Sequence, residues 1–348
     1  MMTRNLRLAA SLLLCLWLGT ACAAGDSPAV AAAAGKPYVI YMAVYRGCEE
    51  ACRGFQDYFR KRGIAADFIL RDAAQDASKI PDFVTEAKRL RPDIVVTWGT
   101  TVTLGMVGNW RKPDPARHIT DLPVIFMVVA DPVASGIIEN ERSSGRNLTG
   151  TLTLLPMETQ FKSARSYLKF NRVGFIINPT EKNSLDARDQ LRVVAEREQF
   201  SVIERELPVD VSGRPDASAI PDLVAQLVAE KVDLIYQGPD TFLITRAQAL
   251  TSAAVERGIP VFASNESPVV NARALFGIVN KYEDCGRYTA RQALRILQDG
   301  VRPQEIPIEL PRHFSYLVNL PVALELGRYP PLKLLDVAEI VGQRNLPR

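Results

Sequence analysis

A repeated alternation constrains this chain more than any other feature. Short apolar runs, rich in β-branched and aromatic residues, are separated by longer stretches with helical periodicity. Tyr38-Val-Ile-Tyr-Met-Ala-Val44 and Pro123-Val-Ile-Phe-Met-Val-Val129 are apolar or aromatic at every position. A strand with one face in water alternates polar with apolar residues. A run that is apolar on both sides needs cover on both, as in a parallel sheet between two helical layers. Asp67-Phe-Ile-Leu70 and Pro92-Asp-Ile-Val-Val-Thr-Trp98 read as two more strands, with helices expected over 55–62, 80–90 and 101–110. The pattern then restarts. Strands at 172–177, 201–207, 232–236, 259–262 and 274–279 alternate with helices at 185–198, 220–228, 243–257 and 286–298. Ile220, Leu223, Val224, Leu227 and Val228 form the core stripe of an amphipathic helix. Two similar runs of roughly 120 residues predict an α/β protein of two doubly wound parallel-sheet lobes, and 348 residues suffice for two cores.

The amino terminus stands outside that pattern. Arg4 and Arg7 precede an apolar run from Leu8 to Leu18, and small residues follow up to Ala23. This is the layout of a secretory signal peptide over 1–23, and the run falls short of the roughly 20 residues of a spanning helix. Cleavage after Ala23 releases a free protein into the periplasm; the alternative is a lipid anchor at Cys22. Residues 24–36, with four consecutive alanines, read as a linker. Removing the signal takes away two basic residues and no acid, so the formal charge of +3 drops to about +1 and selects no partner. Basic clusters are not interleaved with aromatics, so nucleic-acid binding has no support. His118 and His313 are the only histidines, which excludes a histidine-rich zinc site, and neither neighbours a nucleophile motif that would suggest a hydrolase. In an oxidising compartment Cys48 and Cys52 can form a small structural bridge or remain two buried thiols, and Cys285 is a lone buried thiol.

In open α/β sheets ligands bind beyond the carboxyl ends of the strands, so the loops there carry the functional information. Trp98-Gly-Thr-Thr101 leaves a strand and opens a helix whose free N–H groups attract a carboxylate or phosphate, although an N-cap alone explains the same residues. Neither a P-loop nor a dinucleotide fingerprint is present. Asn178-Pro-Thr-Glu-Lys-Asn-Ser184 holds the equivalent place in the second half. Ala130-Asp131-Pro132, Gly238-Pro-Asp240 and Ser264-Asn-Glu-Ser267 end other strands. Each suits a turn or helix cap by itself; five such loops on both halves point to a cleft between lobes.

These stretches, with Gly145-Arg-Asn-Leu-Thr-Gly150 and the closing Val318-Asn-Leu-Pro-Val-Ala-Leu-Glu-Leu-Gly327, resemble the ABC transporter substrate-binding proteins of the type I periplasmic-binding fold. The similar branch includes tryptophan-binding lipoproteins. The resemblance implies two lobes joined by three crossings: residues 37–153 with 281–309 in lobe 1, and 154–280 with 310–348 in lobe 2. It implies domain closure on a small amino-acid-like solute or organic acid, which a monomer delivers to an inner-membrane ABC permease without enzymatic activity or cofactor. The alternative is a ligand-sensing subunit that passes a signal to a membrane receptor. By position, Gly99, Thr100 and Thr101 would meet the ligand from lobe 1, and Glu181, Asn183 and Ser184 from lobe 2. Asp240 would take an amino group, and Asp131 would line the cleft or brace the hinge. Trp98 and Ser264, at their strand ends, complete the set. Many relatives carry a His-Pro stretch after the first strand, where this chain has Tyr45-Arg-Gly-Cys-Glu-Glu-Ala-Cys52. Arg46 there either pairs with a ligand carboxylate or is a plain surface arginine.

Overall fold

The computed structural model describes residues 36–342. The expected signal peptide and most of the linker lie outside them. Among the described residues, no helix is long and apolar enough to cross a membrane.

The first half builds five strands, β1 (Tyr38–Val44), β2 (Ala66–Asp72), β3 (Ile94–Trp98), β4 (Val124–Val129) and β5 (Leu148–Leu152). Between the first four run α1 (Glu50–Lys61), α2 (Ile80–Leu90) and α3 (Thr100–Val107). The strands are all parallel in the order β2-β1-β3-β4-β5. The second half begins with α4 (Met157–Arg165), β6 (Arg172–Ile177), α5 (Lys182–Glu198), β7 (Ser201–Glu206), α6 (Ile220–Ala229) and β8 (Leu234–Gln237). It continues through α7 (Thr241–Thr245), α8 (Ala247–Val255), β9 (Val261–Ala263), α9 (Glu266–Val270) and β10 (Phe276–Val279). Then come α10 (Tyr282–Leu297), β11 (Ser315–Asn319), α11 (Leu320–Glu325), α12 (Leu332–Leu335) and β12 (Ala338–Val341). The second sheet runs β12-β11-β10-β9-β8-β6-β7, parallel except where β10 meets β11.

The fold is therefore two doubly wound lobes, each with its own core. Strands that read as continuously apolar are buried on both faces: Ile40 to Val44 and Ile125 to Met127 have no exposed surface. In the second lobe, Phe161 packs against Phe200, Tyr236 and Phe262 at ring-centroid distances of 4.9, 5.1 and 5.7 Å. Helix α10 returns from the second sheet to lie on α1 with the backbones almost touching. A Cβ on Gly286 would run into the Ala51 carbonyl, and one on Gly54 into the Glu283 carbonyl. Where the chain crosses, Asn280 Nδ2 donates to the Thr153 carbonyl (2.9 Å) and Leu152 N to the Glu309 carbonyl (3.0 Å), which ties the connections together.

Several elements differ from expectation for identifiable reasons. The helix expected over 243–257 starts at Thr241, because Asp240 caps it, and breaks at Arg246, where φ is −118°. The helix after β3 stops at Val107 instead of reaching Trp110. Gly108 turns the chain at φ +70°, and the Arg146 guanidinium caps the Val107 and Gly108 carbonyls. Strand β5 went unread because Leu-Thr-Gly-Thr-Leu carries little apolar signal. Its threonines are satisfied inside, Thr149 Oγ1 donating to the Ile306 carbonyl (2.8 Å) and Thr151 Oγ1 accepting from Thr289 (2.8 Å).

Candidate functional site

The strand order locates the site. In the first sheet β1 has β2 on one side and β3 on the other, so the chain winds away in opposite directions after β1 and β3. In the second sheet β6 is flanked by β7 and β8 in the same way. Such reversal points leave a crevice at the carboxyl ends of the strands. Loops 45–49 and 98–101 come from one lobe and loops 178–184 and 238–241 from the other.

From β1, the backbone turns at Gly47 (φ +90°), and Cys48 and Cys52 are joined in a disulfide with Cα atoms 5.0 Å apart, which fastens the loop to the first turn of α1. Arg46 is not a surface arginine: its side chain is 3% exposed. Nε lies 2.8 Å from Glu49 Oε1 and Nη2 donates to Oε2 (3.0 Å), while the guanidinium carbon sits 5.0 Å from the centre of the Trp98 ring. Nη1 reaches across the cleft to the Thr241 carbonyl at 3.4 Å. From β3, Trp98 is buried and its Nε1 has no hydrogen-bond partner among the described residues. Gly99, at φ +89°, turns the chain into α3, a conformation that costs a residue with Cβ. Thr100 Oγ1 accepts from Ala130 N (3.4 Å), and half-buried Thr101 follows in the first helical turn.

The second lobe contributes carboxylates. Glu181 accepts from the N–H groups of Thr241 (2.8 Å) and Phe242 (3.0 Å), and from Asn183 Nδ2 (3.2 Å). Asn183 also donates to the Pro239 carbonyl. Asp240 Oδ1 accepts from Leu243 N (2.6 Å); Oδ2, fully buried, makes no close hydrogen bond among the described residues, with the Asn178 and Ser184 side chains beside the carboxyl. Burial pushes both acids above the usual carboxylate range, and the neighbouring Glu181 charge raises Asp240 further. Tyr45 feels the same field: burial and then the charges of Glu181 and Asp240 push its hydroxyl up to about 12. Among the described residues, no lysine or arginine forms an ion pair with Glu181 or Asp240. The pair is thus complementary to a cation brought in from outside. No group of three His, Cys, Asp or Glu side chains among these residues is placed to hold a metal ion.

Arg46, Trp98, Gly99, Thr100 and Asn183 share one cavity between the lobes with Pro239, Thr241, Ile244, Asn265 and Tyr282, and its volume is about 30 Å³. Glu181 lines an adjoining groove of about 1030 Å³, with Tyr45, Asp76, Asp216 and Arg246. Asp131 lies in a third opening of about 820 Å³ on the other side. There it holds a turn through Val133 N (3.0 Å) and Ala134 N (2.8 Å), and accepts from Gln190 of the opposite lobe. Ser135 Oγ also crosses to Asp186 (3.0 Å) and Lys182 to the Ala134 carbonyl (3.2 Å). Ser184 Oγ accepts from Asn178 N (2.9 Å) and Ser264 Oγ donates to Asn265 (2.7 Å), and neither lines the cavity wall. Asn265 and Tyr282, bonded at 2.8 Å, form a part of the wall that sequence reasoning missed. Asn265 sat inside a polar loop already singled out, whereas nothing local distinguishes Tyr282.

A family model described as ABC transporter substrate binding protein matches residues 39–341. The chain belongs to that family. A tyrosine-binding protein of Clostridioides difficile (strain R20291) is 27% identical over 201 residues, covering 57% of this chain and 55% of that relative. The match thus spans about half the length of the curated relative. Among solved structures, a conserved domain protein from Vibrio cholerae superposes with a TM-score of 0.76 at 20% identity, covering 88% of this chain and 100% of the other. An ABC domain from Streptococcus pneumonia in complex with L-Trp superposes at 0.73 and 21% identity, covering 87% and 100%. At such identities the structures establish the fold that this substrate-binding protein shares with them.

Proposed function

We propose that this substrate-binding protein works in the periplasm as a monomer. It closes its lobes on an amino-acid-like solute and presents it to an inner-membrane permease. The observation that carries the reading is the pairing of opposite chemistries where the lobes meet: donors line a small cavity, Glu181 lines the groove that adjoins it, and Asp240 is buried nearby. Lobe 1 offers donors, from the Arg46 guanidinium, the Trp98 indole and the start of α3. Lobe 2 offers Glu181 and Asp240, two buried carboxylates without a cation. An α-amino acid brings a carboxylate to the first and an ammonium to the second. Lobe closure desolvates both, and the ligand's differential affinity for the closed form sets the equilibrium. The tyrosine-binding relative and the L-Trp complex support the amino-acid class.

A thermal-shift panel of amino acids, short peptides and organic acids tests this. A true ligand at about 100 times Kd stabilises the protein by roughly 2.7 kcal/mol. A panel in which no amino acid shifts the melting temperature refutes the reading. Native mass spectrometry of freshly purified protein supplies an independent check through whatever co-purifies. Secretion by cleavage after Ala23, rather than anchoring at Cys22, is tested by the mass of the mature amino terminus.

A further inference from the structure

From the position of Arg46 we infer that this cleft selects an acidic amino acid, of aspartate or glutamate class, over the aromatic ones, and that Arg46 is the residue that decides. The inference rests on the amino-acid reading above. Its first ground is what covers Trp98. The Arg46 guanidinium lies over the Trp98 ring at 5.0 Å, on the one large aromatic surface in the cavity wall contributed by β3. An indole or phenol seeking the Trp98 face would have to evict a side chain that is 3% exposed, and so strip Glu49 of its partner.

The second ground is the count of donors. Nη2 of Arg46 donates to Glu49 Oε2 (3.0 Å) and Nη1 has only the Thr241 carbonyl at 3.4 Å, a long contact, while Nε lies 2.8 Å from Glu49 Oε1 but makes no hydrogen bond among the described residues. Trp98 is 2% exposed, and its Nε1 has no acceptor among the described residues. Gly99 and Thr100, at the start of the eight-residue α3, line the same cavity. One α-carboxylate can satisfy the helix start, but it leaves the Arg46 and Trp98 donors for a second acceptor group. With the cation-seeking Glu181 and Asp240 opposite, the site matches three charges: one ammonium and two carboxylates. Apolar and aromatic amino acids supply only two of these. The amides asparagine and glutamine have the right size but lack the second charge.

Isothermal titration calorimetry on the purified protein distinguishes the cases, with L-aspartate, L-glutamate, L-asparagine, L-glutamine, L-tyrosine and L-tryptophan as probes. The wild-type protein is expected to bind an acidic amino acid at least tenfold more tightly than its amide and than either aromatic. In Arg46→Met that preference should fall at least tenfold and aromatic binding should rise, while Arg46→Lys, which keeps the charge, should retain part of the acidic preference. A wild-type protein that binds tyrosine or tryptophan best, or an acid-to-amide ratio that survives Arg46→Met, overturns the inference and leaves the amino-acid reading standing. Failure of every amino acid to bind overturns both. Should Arg46→Met not fold, as judged by circular dichroism, the wild-type panel and Trp98→Phe, expected to weaken acidic binding several-fold, decide the matter.

Discussion

Alanine at position 286 should destabilise this protein, although helix chemistry alone argues the reverse. Gly286 lies inside α10, where a glycine costs about 1 kcal/mol relative to alanine, so Gly286→Ala would ordinarily be stabilising. In the folded chain the added Cβ would stand 2.8 Å from the Ala51 carbonyl carbon, 2.9 Å from Phe55 N, and closer still to the Ala51 oxygen. All three are backbone atoms of α1, so no side chain can rotate aside and the two helices must separate. Overpacking of this kind costs about 1–3 kcal/mol and sometimes more. Because α1 also seats Phe55 and Phe59, which are 0% and 1% exposed, relief by separation sacrifices well-packed area. Contacts this short against backbone fall in the upper part of that range, so after the helix gain of about 1 kcal/mol the balance is a net loss of about 1–2 kcal/mol, or roughly 2–3 °C in melting temperature for a chain of this size. Scanning calorimetry of the two proteins measures it. Gly54→Ala, whose Cβ meets the Glu283 carbonyl in the same interface, should act similarly and not add fully in the double variant. An unchanged or raised melting temperature in Gly286→Ala would refute the claim that the helices touch through their backbones.

Three further outcomes follow from the site. Asp240 has its folded pKa raised, so its contribution to stability is present below the unfolded carboxylate range and lost as pH climbs through the folded value. Asp240→Asn should therefore flatten the fall in ligand-free melting temperature above about pH 4, and a parallel profile for both proteins would contradict this. Removing the disulfide with Cys48→Ser and Cys52→Ser opens a loop of only four residues' separation, for which chain entropy gives at most about 2 kcal/mol. Chemical denaturation should show that loss or less, and a much larger one would mean the bond does more than close its own loop. Ser135→Ala deletes a contact between the lobes to the buried Asp186 carboxylate. A bond to a charged group contributes about 1.5–3 kcal/mol, so ligand affinity should fall about tenfold or more, with a larger radius of gyration in small-angle scattering. Unaltered affinity would show that this contact does not hold the lobes together.

Much of the site could be read from loop chemistry, but not the tasks of individual residues. Trp98, Gly99, Thr100 and Asn183 follow strands and line the cavity together, as the rule for α/β sheets leads one to expect. Ser184 and Ser264 have the same residue types in the same kind of loop, yet neither lines the cavity: Ser184 Oγ accepts from Asn178 N and Ser264 Oγ donates to Asn265. Nothing in a local string says whether a hydroxyl faces a ligand or a backbone amide a few residues away. Arg46 left two readings open, and burial between Trp98, Glu49 and Thr241 closed one of them. Strand β5 was illegible because threonines satisfied by partners more than a hundred residues distant look polar in sequence.

The layering is legible from hydropathy and spacing: runs apolar on both faces must be covered on both, and two series of them make two lobes. That information is local, since each residue's hydropathy and spacing dictate which faces of its own element shun water. Which loops meet, that an arginine lies buried against a tryptophan, and that a glycine unfavourable to its own helix is required by another emerge only in the folded chain. Those properties depend on neighbours brought together by packing from distant parts of the chain, such as Arg46 and Thr241 across the cleft, and no periodicity within one element encodes them.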